Sequence, residues 1–174
     1  HALAISNVIR SIYVVMLIPI WGFTSATNTL VSFVIGRERT NEVIPVVMKT
    51  LKLCIVGVIL LVVTNMLIPE KVLSIYTNNQ TLIQDSFPSL KIVSIAALFL
   101  TIGFVLFSGV SGTGMTKISF SIETIAIVMY VVITYLLVNT KNPKVEIVWT
   151  VEIFYGIIIG LLSMGYLKYG NWKN

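Results

Sequence analysis

Charge is what this sequence has least of. Asp, Glu, Lys and Arg make up 11% of its 174 residues, 56% are hydrophobic, and the mean hydropathy is +0.95. A soluble domain carries roughly twice that charge to cover its surface, so the outer face of this chain is expected to meet lipid. Cysteine is down to Cys54, inside an apolar run. That excludes an intrachain disulfide and argues against a metal cluster, and Cys54 itself reads as a small buried or lipid-facing residue. A basic stripe is also missing. The net charge is +5, but the basic residues sit in short clusters between apolar runs, where they orient helices in a membrane and do not form a nucleic-acid surface. No basic n-region precedes a short apolar core and a cleavage site, so no signal peptide is read. The start at His1 leads us to expect a fragment of a longer chain. The apolar runs hold no His–Asp or Ser–Lys constellation, which argues against an enzyme.

What is there is a series of long apolar runs. A membrane-spanning helix needs about 20 mostly apolar residues. Residues 11–36 are charge-free for 26 positions, 53–69 for 17 and 92–116 for 25. Residues 118–140 and 147–167 each hold a single charge, Glu123 and Glu152. If Lys49 and Lys52 snorkel, the second run extends back to Val43. The expectation is an all-α integral membrane protein with spans at about 3–36, 43–68, 90–114, 118–140 and 147–167. None of the runs has the broad polar face of a helix in a soluble bundle. None alternates as a barrel strand would. Residues 70–89 form the one long connector, with a polar turn at Thr77-Asn78-Asn79-Gln80-Thr81 before an expected surface helix.

Basic residues orient the spans. Arg37, Arg39, Lys49, Lys52, Lys117, Lys168 and Lys173 collect on one side, against Arg10, Lys71, Lys91, Lys141 and Lys144 on the other. The first group clusters at helix ends, which places it and the C-terminus in the cytoplasm.

Three stretches carry a family resemblance. Gly22-Phe23-Thr24-Ser25-Ala26 runs into Leu30-Val31-Ser32-Phe33-Val34-Ile35-Gly36. Ile75-Tyr76-Thr77-Asn78-Asn79 is followed by Leu82-Ile83, and Ser111-Gly112-Thr113-Gly114-Met115-Thr116-Lys117 forms a glycine-rich link. In order and spacing these resemble helices eight to twelve of the multidrug and toxic compound extrusion (MATE) transporters, within the second half of a twelve-helix, two-lobed fold. Phe33 stands where a Gln or Asn is common in that family, and Met115 where an Asp or Asn is common. The counterpart of the tenth helix holds no acid. The resemblance implies a missing first half, a cell (inner) membrane location, and a cytoplasmic first connector and C-terminus. It also implies export of amphipathic, often cationic compounds against inward Na⁺ or H⁺, with no other cofactor. Expected partners are membrane lipid, the small-molecule substrate and the missing N-terminal half, and not nucleic acid. A flippase for lipid-linked oligosaccharides shares the architecture and stays open as an alternative, as does a scaffold subunit that transports nothing.

Two intramembrane acids are the ion-coupling candidates, because a carboxylate is costly in lipid and faces a protein interior or a water-filled cavity. Glu123 lies about 9 Å along its helix from Lys117. On a helical wheel it shares a face with Thr116, Ser119, Tyr130 and Thr134, so Ser119, Tyr130 and Thr134 become cavity candidates. Glu152 faces the same way as Tyr155, Gly156 and Ser163. Either acid could instead be structural, Glu123 bonded to a neighbouring helix and Glu152 paired with Lys144 or water. Coupling is expected to run through Glu123, with Glu152 nearer the outer surface and a direct pair between them doubtful. Asn28 could contact substrate or bond across helices. Pro19 should weaken its helix, and Gly112 and Gly114 read as a hinge or a close-packing link. Gly156 and Gly160 form a GxxxG that lets helices approach.

Overall fold

In lipid no backbone N–H or C=O can be left unpaired, and each long apolar run meets that demand as a helix. The computed structural model describes residues 2–139 and 144–172. In chain order it contains α1 (Ala2–Gly36), a 3₁₀ turn (Thr40–Glu42), α2 (Val43–Leu67), α3 (Pro69–Ser74), α4 (Gln80–Gly112), α5 (Thr116–Val138), α6 (Val145–Trp149) and α7 (Val151–Tyr169). No strand occurs among the described residues. Five helical stretches, with α6 and α7 counted as one, are long and apolar enough to cross a membrane. His1, the end of the fourth expected span at Thr140, Lys141 and Pro143 of the next connector, and Lys173 lie outside the described residues.

Local chemistry accounts for the helix ends. Glu38, in the left-handed region at φ 60, turns the chain after α1, and the Arg39 amide donates back to Val34 O at 3.1 Å. Pro69 in the first turn of α3 follows the end of α2, where its missing N–H costs nothing. The Asn79 side chain accepts from the amides of Thr81 and Leu82 at 3.0 and 3.2 Å, a capping geometry that starts α4 at Gln80. The surface helix and the third span of the sequence reading are therefore one continuous helix, which begins at Gln80 and not at 90. Gly114, at φ +79, makes the turn between α4 and α5. After α7 the Trp172 indole donates to Leu167 O at 3.1 Å and closes that end.

The central helix is α4, which packs against all the others. Ser94, Ala96, Ala97, Gly103, Ser108, Gly109 and Gly112 are all buried along it. Such small residues let helix backbones approach where lipid gives little hydrophobic drive. The closest crossing is with α7. A Cβ on Gly156 would lie 2.6 Å from the Phe99 carbonyl carbon, and one on Gly103 would lie 2.6 Å from Gly156 O. On the other flank, Asn65 of α2 donates to Ser94 Oγ of α4 and to Met16 Sδ of α1, both at 3.2 Å. Thr27 of α1 donates to Thr50 of α2 at 3.0 Å. α5 packs mainly on α7 and buries only Ser119, Ile122 and Ala126. Most of its remaining surface, like that of α2, is apolar and open, with Phe120, Leu136 and Leu60 more than 60% exposed. Water would oppose a surface like that and lipid accepts it.

Candidate functional site

An acid enters the packing of the bundle where α1, α5 and α7 meet. There α7 contributes Glu152 from its first turn, two residues after the tight join at Thr150 that separates it from α6. The Glu152 carboxylate is half-buried and accepts a hydrogen bond on each oxygen. Tyr13 Oη of α1 donates to Oε2 at 2.8 Å, and Tyr130 Oη of α5 donates to Oε1 at 3.1 Å. One acid thus ties together two helices from opposite ends of the sequence. Lys144, the alternative partner, pairs with Glu146 at 3.9 Å.

Aromatic rings hold the three side chains in place. Tyr13 lies against Trp149 with ring centroids 5.5 Å apart. Tyr130 meets Tyr155 edge to face at 5.6 Å, and Tyr155 meets Phe104 of α4 in the same way at 6.0 Å. Such edge-to-face pairs add orientation to burial. Beside them runs a groove of about 420 Å³, lined by Ile127, Tyr130, Val131, Glu152 and Tyr155. Its wall is therefore aliphatic and aromatic, with one carboxylate. A smaller groove of about 210 Å³ lies between α1 and α4 at Trp21, Thr24, Phe107 and Ser108. Phe104 lines the smaller groove and touches Tyr155 of the larger.

The other sequence candidates are spread along the bundle. Glu123 is exposed on α5, within electrostatic range of Tyr155. The stripe read on the wheel divides. Ser119 is buried and donates to Met115 O at 3.4 Å, Tyr130 and Thr134 are half-buried, and Thr116 and Glu123 are exposed. Thr134 donates within its own helix, to Tyr130 O at 2.7 Å. Asn28 is half-buried and donates to Ser111 Oγ at 3.4 Å, while Ser32 donates to Gly112 O at 3.0 Å. Those bonds lie where Gly112 packs on α1, with room for no Cβ between it and Val31. Gly114 stands in open space. Pro19 sits inside α1, which continues through it.

Tyr13 is the site residue that sequence reasoning missed. It lies 139 positions from Glu152, and no local pattern marks a tyrosine in an apolar helix as a partner for a distant acid.

A sequence model described as MatE matches residues 1–136. The match runs through α1 to α4 and nearly all of α5, so Tyr13 and Tyr130 fall inside it and Glu152 beyond it. Neither a curated protein nor a solved structure matches the chain. With most of its length inside that match and five helices able to cross a bilayer, this multi-pass membrane protein belongs to the MatE family of transporters.

Proposed function

We propose that the chain forms helices eight to twelve, in the second lobe of a twelve-helix secondary exporter of the inner membrane. In this reading the exporter moves amphipathic, often cationic compounds out of the cell against inward Na⁺ or H⁺. The first connector and the C-terminus face the cytoplasm, and the first lobe of the same transporter is the missing partner. Transport follows from rocking one lobe against the other around a midplane site, which one lobe cannot do alone.

The observation that carries this reading is Glu152 in its groove. An acid among apolar helices is expensive to keep, and one held by hydroxyls from two other helices is placed with care. Its groove offers aromatic faces for a cation and aliphatic walls for the apolar part of a substrate. A carboxylate there can carry the coupling ion or attract the substrate, and exchange between the two is what antiport requires. Glu123 is the second coupling candidate, and Asn28, Ser119, Tyr130 and Thr134 are candidates for the cavity wall.

The test uses membrane vesicles containing the full-length protein and the fluorescent lipophilic cation ethidium. Efflux should depend on an imposed H⁺ or Na⁺ gradient and stop when the gradient is dissipated. E152Q should remove the gradient dependence, and E123Q should weaken it less. Ethidium movement indifferent to both gradients would refute the exporter reading and favour the flippase or scaffold alternatives.

A further inference from the structure

Resting on the exporter reading, we propose that the Glu152 centre takes up a proton and not a metal cation. Tyr13 then changes from hydrogen-bond donor to acceptor, while Tyr130 goes on donating.

The donor set decides between the ions. A dehydrated Na⁺ needs several oxygens to replace its water. Transporters supply them from unwound backbone carbonyls and broken helix ends. Here Tyr130 stands within a continuous helix, and at the α6–α7 join beside Glu152 the carbonyls of Ile147 and Thr150 already accept the amides of Thr150, Ile153 and Phe154. The neighbouring side chains Trp149, Phe104, Ile127 and Val131 offer rings and methyl groups. The Thr150 hydroxyl turns back onto its own join, donating to Ile147 O at 2.6 Å. That leaves two carboxylate oxygens and two phenol oxygens, with Tyr155 alongside. Those few oxygens suit a proton better than a desolvated metal ion.

The protonation step balances without disturbing the bundle. An ionised carboxylate only accepts hydrogen bonds, whereas a carboxylic acid has one O–H to donate, and a phenol oxygen can do either. A hydronium ion gives its proton to Oε2, the oxygen that faces Tyr13 at 2.8 Å, and leaves as water. The Tyr13 hydroxyl rotates about its C–O bond, accepts from the new O–H, and turns its own hydrogen toward the open edge of its half-buried ring. Tyr130 keeps its bond to Oε1, now the carbonyl oxygen. One positive charge enters, the centre becomes neutral, and α1, α5 and α7 stay joined.

The surroundings hold few competing groups. α5 adds Glu123, which is exposed, and α7 adds Tyr155. Arg10, one turn before Tyr13 on α1, is exposed. Glu146 of α6 is occupied by Lys144. α4 presents Phe104 and has no charged or titratable side chain from 92 to 112.

Infrared difference spectra of the full-length protein, recorded as the pH is stepped down, read the carboxyl group directly. A protonated-carboxyl C=O band should grow on acidification, be absent from E152Q, and keep its intensity in E152D at a new wavenumber. Y130F, which strips the hydrogen bond from the carbonyl oxygen, should move the band to higher wavenumber. Y13F, which removes the acceptor for the O–H, should also displace it. Exchanging choline chloride for NaCl at fixed pH should leave the band unchanged. If the band persists in E152Q, or if Na⁺ removes it at fixed pH, the proton assignment is overturned. Ethidium efflux that then runs on a Na⁺ gradient leaves the exporter reading standing. Efflux that ignores both gradients brings down that reading instead, whatever the band does.

Discussion

The α4–α7 crossing allows a graded test of how closely this bundle is packed, because its glycines differ in what surrounds them. A methyl group on Gly156 would meet the Phe99 carbonyl carbon at 2.6 Å and the Leu100 nitrogen at 2.8 Å. Both are backbone atoms, so no side chain can swing away. An ordinary contact begins near 3.4 Å, so the helices must separate by about 0.8 Å. Gly160, on the same face one turn later, would bring its methyl to 3.4 Å from Gly103 Cα, which is already acceptable. Gly165 has nothing within 4 Å. Overpacking of the Gly156 kind costs about 1–3 kcal/mol, and alanine in place of an unhindered helical glycine is neutral or favourable by up to ~1 kcal/mol.

The readout is the fraction of full-length protein that stays monodisperse in detergent after heating. Gly165→Ala should melt at or above the wild type, Gly160→Ala close to it, and Gly156→Ala clearly below both. The same displacement reaches the site. Gly156 lies one turn from Glu152, about 6 Å along α7, and a 0.8 Å shift along the Tyr13–Glu152 line would stretch the 2.8 Å bond to about 3.6 Å, where it no longer exists. Gradient-driven efflux should therefore fall in Gly156→Ala even among molecules that survive. If Gly156→Ala and Gly165→Ala melt together, the close crossing is wrong and this reasoning fails with it.

Two further outcomes follow from particular residues. Gly112→Val should lower the yield of folded protein, since its Cβ would lie 2.7 Å from Val31 Cβ and 2.8 Å from Asn28 O. Gly114→Ala should cost only the left-handed strain of about 1–2 kcal/mol, and equal losses from the two would contradict the packing. Single cysteines at Arg39, Lys117 and Asn171 should resist an impermeant thiol reagent in intact cells while one at Asn79 reacts. All four positions are exposed, so labelling of the first three would reverse the proposed orientation.

The five helices were legible because lipid imposes one rule on every residue of a span, and a run without charge satisfies it visibly. Their ends were less so. The charge-free run starts only at Ile92 and points to a span from about 90, yet a helix can carry charge beyond the hydrocarbon, and the Asn79 cap begins α4 at Gln80. The wheel through Glu123 found residues that share a face, but periodicity does not say which edge turns inward. That is decided by packing, and the buried line on α5 runs through Ser119, Ile122 and Ala126, to one side of Glu123. The Glu152 centre was legible as an acid and an adjacent Tyr155. Its hydroxyl partners come from α1 and α5, and only the fold brings those helices together.

The two acids consequently pose different questions. Glu152 has its hydrogen-bond donors supplied by this chain, so substitutions at Tyr13 and Tyr130 probe it without reference to anything else. Glu123 stands on an exposed face of the least buried helix. A charged side chain in a membrane helix meets lipid only at a cost of several kcal/mol, and otherwise meets water or another protein surface. On the two-lobe reading that surface is the partner lobe, across the cavity into which α5 would look. An effect of E123Q would then speak to how the lobes face one another, and an effect of E152Q to the ion site within this one. Tyr155 lies within electrostatic range of both carboxylates, so a charge gained or lost on one would be felt next to the other. That arrangement gives the inner acid a physical route to influence how the lobes meet, with no need for the two carboxylates to touch.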